Sequence, residues 1–124
     1  KKYNLEGVDI VGEVASMGDF VHSSDIVLSP VRIGGGTRLK ILEAMAWGRP
    51  VISTAIGLEG NDAFVGSAVR IANSPHQFLS EIEYLLDNSR AWDDCVNNAL
   101  HYIEAEHNSR LKLVNIFNAL ESKF

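Results

Sequence analysis

The stretch "RIGGGTRLKILEAMAWGRPVIST", residues 32–54, carries the strongest structural signal in this chain. Three glycines are followed by apolar residues at helical spacing, which predicts a helix over residues 37–47. Gly48 ends this helix, because glycine readily adopts the left-handed conformation just after a helix. Pro50 then opens a strand. The predicted apolar stripe of the helix consists of Leu39, Leu42 and Ala46, with Ile41 and Met45 beside it.

Strands and helices alternate along the rest of the chain. We predict strands over residues 7–14, 25–31, 50–54 and 67–72. A short helix is predicted over residues 17–24, with Ser16 as its cap. A longer helix is predicted from Pro75, and its apolar face consists of Phe78, Leu79, Ile82, Leu85 and Leu86. Two further helices are predicted, one over Trp92 to Ile103 and one over Leu113 to Phe124. This alternation predicts one α/β domain, residues 1–124, with a mostly parallel sheet and flanking helices.

Composition excludes several classes of protein. The 124 residues are 46% hydrophobic, which is typical of a globular domain, and their net charge of −5 argues against binding to nucleic acid or to an anionic membrane surface. Every apolar run is too short for a transmembrane helix. The single cysteine, Cys95, has no partner for an internal disulfide, so we expect a packed structural thiol and a reducing compartment.

The glycine-rich turn has the properties of a phosphate site. It follows the predicted strand over 25–31, and ligands of open parallel sheets bind at the carboxyl ends of the strands. Glycines allow a ligand to approach the backbone, and the unpaired N–H groups where a helix begins favour an anion. The segment 32–49 has four basic residues and one acid, a local charge of +3, whereas the remaining seven basic and fifteen acidic residues sum to −8. A cluster of basic residues in an otherwise acidic chain suits a small phosphorylated ligand.

Glu43 lies six residues beyond Thr37, or about 9 Å along a helix. This spacing permits a nucleoside diphosphate with its phosphates at the helix start and its ribose at Glu43, since a carboxylate can accept hydrogen bonds from two vicinal hydroxyls. Two alternatives remain open from spacing alone: the glycines form only a tight turn, and Lys40 and Glu43 form an ordinary surface pair. The Walker A loop and the G-x-G-x-x-G fingerprint both fit poorly, because Arg38 and Leu39 stand where those motifs need other residues.

Other polar residues give weaker signals. Arg49 is expected to be a solvated or structural charge. The four histidines, His22, His76, His101 and His107, are scattered along the chain, and we expect surface groups and no metal site.

The run Glu43-Ala44-Met45-Ala46-Trp47-Gly48-Arg49-Pro50-Val51 resembles the donor-site motif of the carboxyl-terminal domain of retaining GT-B glycosyltransferases, the group 1 family. "VGEV" at 11–14 and "SSDIVLSPVR" at 23–32 are similar to the family's Gly-x-Val turn and to the strand that follows it. The resemblance covers most of residues 7–90. It implies a Rossmann-like sheet that is part of a GT-B carboxyl-terminal domain and that binds a nucleotide-diphosphate sugar as substrate, with no cofactor and no metal.

The resemblance also assigns roles to residues. Glu43 would bind the donor ribose. The donor diphosphate and sugar would contact Gly34, Gly35, Gly36, Thr37, Arg38, Leu39 and Lys40, and the nucleobase would lie against Gly12, Val14 and Ser16. The family's first acid is absent, because Gly35 occupies its position, and Thr37, Arg38 or Lys40 is our candidate to replace it. No catalytic residue is assigned.

Finally, the resemblance implies a partner. We expect the chain to be a piece of a longer protein whose amino-terminal domain binds the acceptor, so the chain alone should be inactive in transfer. The expected location is the cytoplasm, with the full-length enzyme at the inner membrane face as a further expectation. One alternative is a non-catalytic α/β interaction module that keeps the motif for packing. A weaker one is a phosphate-receiving signalling domain, which would need acids at strand carboxyl ends, whereas Asp25 begins its strand.

Overall fold

The computed structural model describes residues 5–33, 38–58 and 68–122. Its elements in chain order are α1 (Met17–His22), β1 (Val27–Ser29), α2 (Arg38–Ala46), β2 (Val51–Ser53), a 3₁₀ turn (Ile56–Leu58), β3 (Val69–Ile71), α3 (Pro75–Asp87) and α4 (Ser89–Glu121). From α1 to β3, helices and strands alternate, as predicted for that part of the chain.

The described strands form a parallel sheet in the order β1-β2-β3. Val51 of β2 is in register with Val27 of β1 on one side and with Val69 of β3 on the other. All strands therefore end at the same edge of the sheet, which is the edge where α2 follows β1. The parallel sheet flanked by helices confirms the predicted α/β, Rossmann-like fold.

Helices pack on both faces of the sheet. Because successive residues of a strand point to opposite faces, neighbouring residues of β2 belong to two different cores. Val51 belongs to the first core, between the sheet and helices α1, α2 and α4, and Ile52 belongs to the second, on the α3 side. The buried members of the first core are Val21, Ile41, Ala44, Met45, Val51, Leu58, Ala68, Val69 and Ala99, and those of the second are Ile52, Ala72 and Leu85.

The prediction of a strand over residues 7–14 is wrong. Gly7 and Gly12 have φ angles of 80° and 82°, which interrupt an extended backbone at both ends of the segment. The apolar side chains of Val8, Ile10 and Val11 are exposed, and no described strand pairs with this segment. A strand needs a neighbour for its backbone N–H and C=O groups, and the β-prone composition does not provide one.

The helix after the glycine turn is confirmed, but its predicted stripe is confirmed only in part, because Leu42 alone of the three stripe residues packs against the first core. Leu39 is 73% exposed, Ala46 is also exposed, and the buried face consists of Ile41, Ala44 and Met45. The helix contacts both β2 and α4, so its buried side is wide and includes the small Ala44. The predicted end at Gly48 is confirmed: Gly48 has a φ of 75° and donates its N–H to the carbonyl of Met45.

Both α1 and α3 begin close to the predicted positions. Ser16 stands at the cap position of α1 but makes no side-chain capping bond, whereas Ser74 of α3 accepts the Gln77 N–H at 3.1 Å. On α3, Leu85 is buried, but Leu79 and Leu86 are exposed, so the predicted apolar face is too wide. The sheet covers only the central part of that face.

The two helices predicted at the carboxyl end are one helix, α4, which runs from Ser89 to Glu121. The segment contains neither glycine nor proline, so nothing in the sequence ends the helix between the two apolar stripes. Cys95 and Ala99 pack in the domain, whereas Leu113, Phe117 and Leu120 are exposed. Phe124 lies outside the described residues.

Candidate functional site

The segment predicted to bind phosphate is divided between described and undescribed residues. Gly34, Gly35, Gly36 and Thr37 lie outside the described residues, and α2 begins directly after them at Arg38. The helix start therefore follows β1 at the carboxyl edge of the sheet.

Glu43 lines a cavity of about 210 Å³ beside β1, which we call the Glu43 cavity. Two helices contribute to its lining: α1 contributes Met17 and Val21, and α2 contributes Lys40 and Glu43. The remaining lining residues are Val27, Leu28, Ser29 and Ile41. The cavity combines apolar walls with one acid and one base, which are the groups needed to hold hydroxyls and phosphate beside an apolar surface.

The volume limits what the Glu43 cavity can hold. Pockets for drug-sized ligands measure roughly 300–1,000 Å³. The Glu43 cavity is smaller, at about 210 Å³, so it accommodates one portion of a nucleotide sugar and not the whole molecule. Glu43 is exposed, so its carboxylate is accessible to a ligand.

Only part of the predicted set is brought together. Lys40 and Glu43 share the cavity, whereas Leu39 points outward and does not line it. Gly12, Val14 and Ser16 precede α1 and do not line it either, although Met17, the next residue after Ser16, does. The positive φ of Gly12 shows that a turn lies here.

Sequence reasoning missed the α1 residues of the cavity. Met17 and Val21 are separated by four residues, so they lie on one side of α1, facing α2. The helical spacing of these two apolar residues was the available signal. Their position in the same cavity as Glu43 depends on how α1 packs, which the sequence alone does not specify.

A second, larger cavity of about 400 Å³ lies on the opposite side of β1. Its walls are mainly apolar residues of β1 and α3, with Arg32 and Asn73 among the polar ones. Thr54 also lines it, but its hydroxyl donates to the Val31 carbonyl at 2.6 Å and accepts the Gly57 N–H at 3.1 Å. Although this cavity is larger, we favour the Glu43 cavity because it pairs an acid with a base beside the helix that follows the glycine turn.

Hydrogen bonds tie the carboxyl ends of β2 and β3 together. The Asn73 side chain accepts the Ala55 N–H at 3.0 Å, and the Gln77 side chain accepts the Asn73 N–H at 2.6 Å. These polar groups therefore hold the carboxyl edge of the sheet together.

Arg49 has a structural role, one of the two that the sequence left open. The Nη1 group of its guanidinium donates a hydrogen bond to the Gly48 carbonyl at 3.2 Å, and the Nη2 group donates one to the His22 carbonyl. His22 is the last residue of α1, so Arg49 connects the end of α1 to the turn after α2.

Cys95 is a packed thiol, as predicted. It is buried, and its Sγ donates to the Ala68 carbonyl at 3.3 Å. Burial raises the pKa of the Cys95 thiol, because a thiolate would lose its hydration there. The thiol therefore stays protonated at neutral pH and is a poor nucleophile.

The described residues contain neither a metal-binding cluster nor a membrane-spanning helix. Among them, no cluster of three or more histidine, cysteine, aspartate or glutamate side chains is arranged to bind a metal ion. None of the helices in the described part of the chain has the length and hydrophobicity to cross a membrane.

The parallel sheet, the helix start at its carboxyl edge and the charged cavity beside β1 define an α/β domain of the Rossmann-like class. The profile of the family described as glycosyl transferases group 1 matches residues 1–88. The chain therefore belongs to the group 1 glycosyl transferase family, and the resemblance seen in the sequence is confirmed at that level.

The chain is also similar to a curated protein of Klebsiella pneumoniae described as an uncharacterized 44.6 kDa protein in the cps region. The two are 32% identical over 92 residues, which are 74% of this chain and 24% of that protein. The chain thus spans about a quarter of the length of this relative. No solved structure matches the chain.

Proposed function

We propose that this chain is the donor-binding part of a retaining GT-B glycosyltransferase and that the Glu43 cavity holds the ribose of a nucleotide-diphosphate sugar. The observation that carries the proposal is the pairing of Glu43 with Lys40 in one cavity beside β1. Family membership supports the transferase role.

The order of groups along α2 matches the order of groups in the ligand. Lys40 is three residues nearer than Glu43 to the helix start, or about 4.5 Å along the axis. The N–H groups at the start of a helix and a nearby cation favour phosphate, and a carboxylate further along favours the ribose hydroxyls. The diphosphate would therefore lie at the glycine turn and Arg38, with Gly12, Val14 and Ser16 near the nucleobase.

The proposed chemistry is transfer of a sugar with retention at its anomeric carbon. The bond between that carbon and the diphosphate breaks, and the electron pair leaves with the diphosphate. An acceptor hydroxyl forms the new bond to the same carbon on the same face, and its proton passes to the departing diphosphate. Helix N–H groups and the cations Arg38 and Lys40 would stabilise the negative charge that develops on the diphosphate. Electrostatic stabilisation of this kind is the largest contribution to the rate in many enzymes. Because Gly35 replaces the family's first acid, we assign its place near the leaving group to Lys40, with Arg38 and Thr37 as the neighbouring donors. No metal takes part in this proposal.

The acceptor belongs to another part of the protein. We propose that an amino-terminal domain of the same protein binds it, so the chain alone binds donor and does not transfer sugar. A cytoplasmic location, where a reducing environment suits the unpaired Cys95, belongs to the same proposal.

One observation favours a second function, a non-catalytic interaction module. Four of the nine motif residues are used for packing, since Ala44, Met45, Pro50 and Val51 are buried. Packing does not account for Glu43, which is exposed and faces the cavity. The two functions therefore differ in what Glu43 does.

Titration of the chain with UDP, GDP and ADP tests the proposal. Glu43→Ala should weaken the tightest-binding nucleotide at least about tenfold, because each charge-assisted hydrogen bond to ribose contributes roughly 1.5–3 kcal/mol. Glu83→Ala, which removes an exposed acid on α3, should leave the affinity unchanged. If the chain binds none of the three, the same titration of the intact protein is decisive. Equal affinities of the wild type and Glu43→Ala there would favour the interaction module.

A further inference from the structure

The width of the Glu43 cavity depends on the distance between α1 and α2. Met17 and Val21 of α1 and Lys40 and Glu43 of α2 all line the cavity. The two helices are separated by β1 in the chain, so their spacing depends on how both pack on the sheet and on the contacts between them.

α1 and α2 share the first core through Val21 and Ile41, and a second contact involves Trp47, the residue that follows α2. A Cβ atom on Gly18 would lie 2.8 Å from Trp47 Cε2 and 3.0 Å from Nε1, so the indole ring lies directly against the α1 backbone. His22, one turn further along α1, packs edge-on to the same ring with a centroid distance of 5.7 Å. We call Gly18, His22 and Trp47 the Trp47 contact.

The Trp47 contact is connected to both helices that line the cavity. Gly18 is adjacent to Met17 in the chain, and the backbone N–H of Trp47 donates to the backbone carbonyl of Glu43 at 3.0 Å. Arg49 reinforces the contact, because its guanidinium donates to the carbonyl of His22. The indole is 46% exposed, so burial of apolar surface alone does not explain a tryptophan at this position.

We propose that Trp47 is a positioning residue: its indole, seated on Gly18, sets the separation of α1 and α2 and thereby the width of the Glu43 cavity. It does not touch the ligand. The identity of the ligand rests on the proposed function, but the effect of Trp47 on the cavity does not.

The chain has two methionines, which makes the test direct. Met17 lines the cavity and Met45 lies in the core, so methyl-labelled methionines give one reporter for each. The full 124-residue chain would be measured as wild type, Gly18→Ala, Trp47→Ala, the Gly18→Ala/Trp47→Ala double variant and Trp47→Phe. Trp92→Phe is the matched control, because Trp92 packs with the second core and donates to the Asp25 carbonyl. Circular dichroism would verify that each variant is folded.

Gly18→Ala should shift the Met17 methyl resonance more than that of Met45. It should also lower the affinity for the tightest-binding of UDP, GDP and ADP on the order of tenfold, which is the size of coupling expected for residues in contact. In the Trp47→Ala background, the same change at Gly18 should alter affinity by less than about twofold, because the overlapping ring is absent. Trp47→Phe should keep most of the affinity, and Trp92→Phe should leave Met17 unchanged.

An unchanged Met17 resonance in Gly18→Ala would overturn the proposal, and so would an undiminished effect of Gly18→Ala once Trp47 is replaced. The methyl readout needs no nucleotide, so it separates this inference from the proposed function. Coupling of Gly18 and Trp47 to Met17 with no nucleotide binding that depends on Glu43 would refute the function alone. Binding that depends on Glu43 but not on Gly18 or Trp47 would refute the positioning role alone.

Discussion

Leu85→Ala should lower the free energy of unfolding by about 2–5 kcal/mol, whereas Leu86→Ala should lower it by less than about 1 kcal/mol. The two leucines are adjacent on α3, but Leu85 is 1% exposed and Leu86 is 58% exposed. Removing the Leu85 side chain leaves a cavity in the second core, beside Ile52 and Ala72. Removing the exposed Leu86 side chain leaves no cavity, because solvent takes its place.

Chemical denaturation of the two variants measures this difference with a matched chemical change. The helix propensity cost is the same at both positions, so the difference between the variants reports burial. Equal losses of stability would mean that α3 does not pack on the sheet through Leu85.

Replacing Arg38 and Lys40 together by alanine in the intact protein should lower donor turnover on the order of 10²–10³-fold, the usual effect of removing groups that stabilise a leaving oxyanion. Lys40 lines the Glu43 cavity, and Arg38 is the first residue of α2, where the helix N–H groups are unpaired. Loss of both cations would leave the diphosphate with the helix start alone.

Release of nucleoside diphosphate from a donor sugar measures this turnover. Lys112→Ala is the control, because Lys112 is an exposed base on α4 far along the chain from the cavity. Unchanged turnover and unchanged donor affinity in the double variant would remove these residues from the proposed site.

Local signals in the sequence predicted the elements that depend on local physics. Gly48 ends α2 because its own backbone takes the required positive φ, and Pro75 begins α3 after a capping serine. The parallel sheet followed from the alternation of strands and helices. These features need only the residues within one turn or one element.

Features that depend on distant neighbours were predicted poorly. The 7–14 segment has the composition of a strand, but no described strand pairs with it. The buried side of α2 turned out to be Ile41, Ala44 and Met45, because both β2 and α4 pack on it. Periodicity finds an apolar face but does not say how many partners cover it.

The candidate site shows the same division. Spacing along one helix was enough to propose Glu43, the family resemblance added Lys40, and the two line the same cavity. Met17 and Val21, which also line it, come from α1, nineteen or more residues earlier in the chain, and only the packing of the helices brings them there. The contact between Trp47 and Gly18 was likewise invisible in the sequence.

The central claim is that Glu43 accepts hydrogen bonds from the ribose hydroxyls of the donor nucleotide. The most direct measurement compares the affinity of the tightest-binding nucleoside diphosphate with that of its 2′-deoxy form, for the wild type and for Glu43→Gln. The wild type should favour the ribose form about tenfold, and Glu43→Gln should show little preference, because the amide is a weaker acceptor than the carboxylate. An equal preference for ribose in both proteins would contradict the claim.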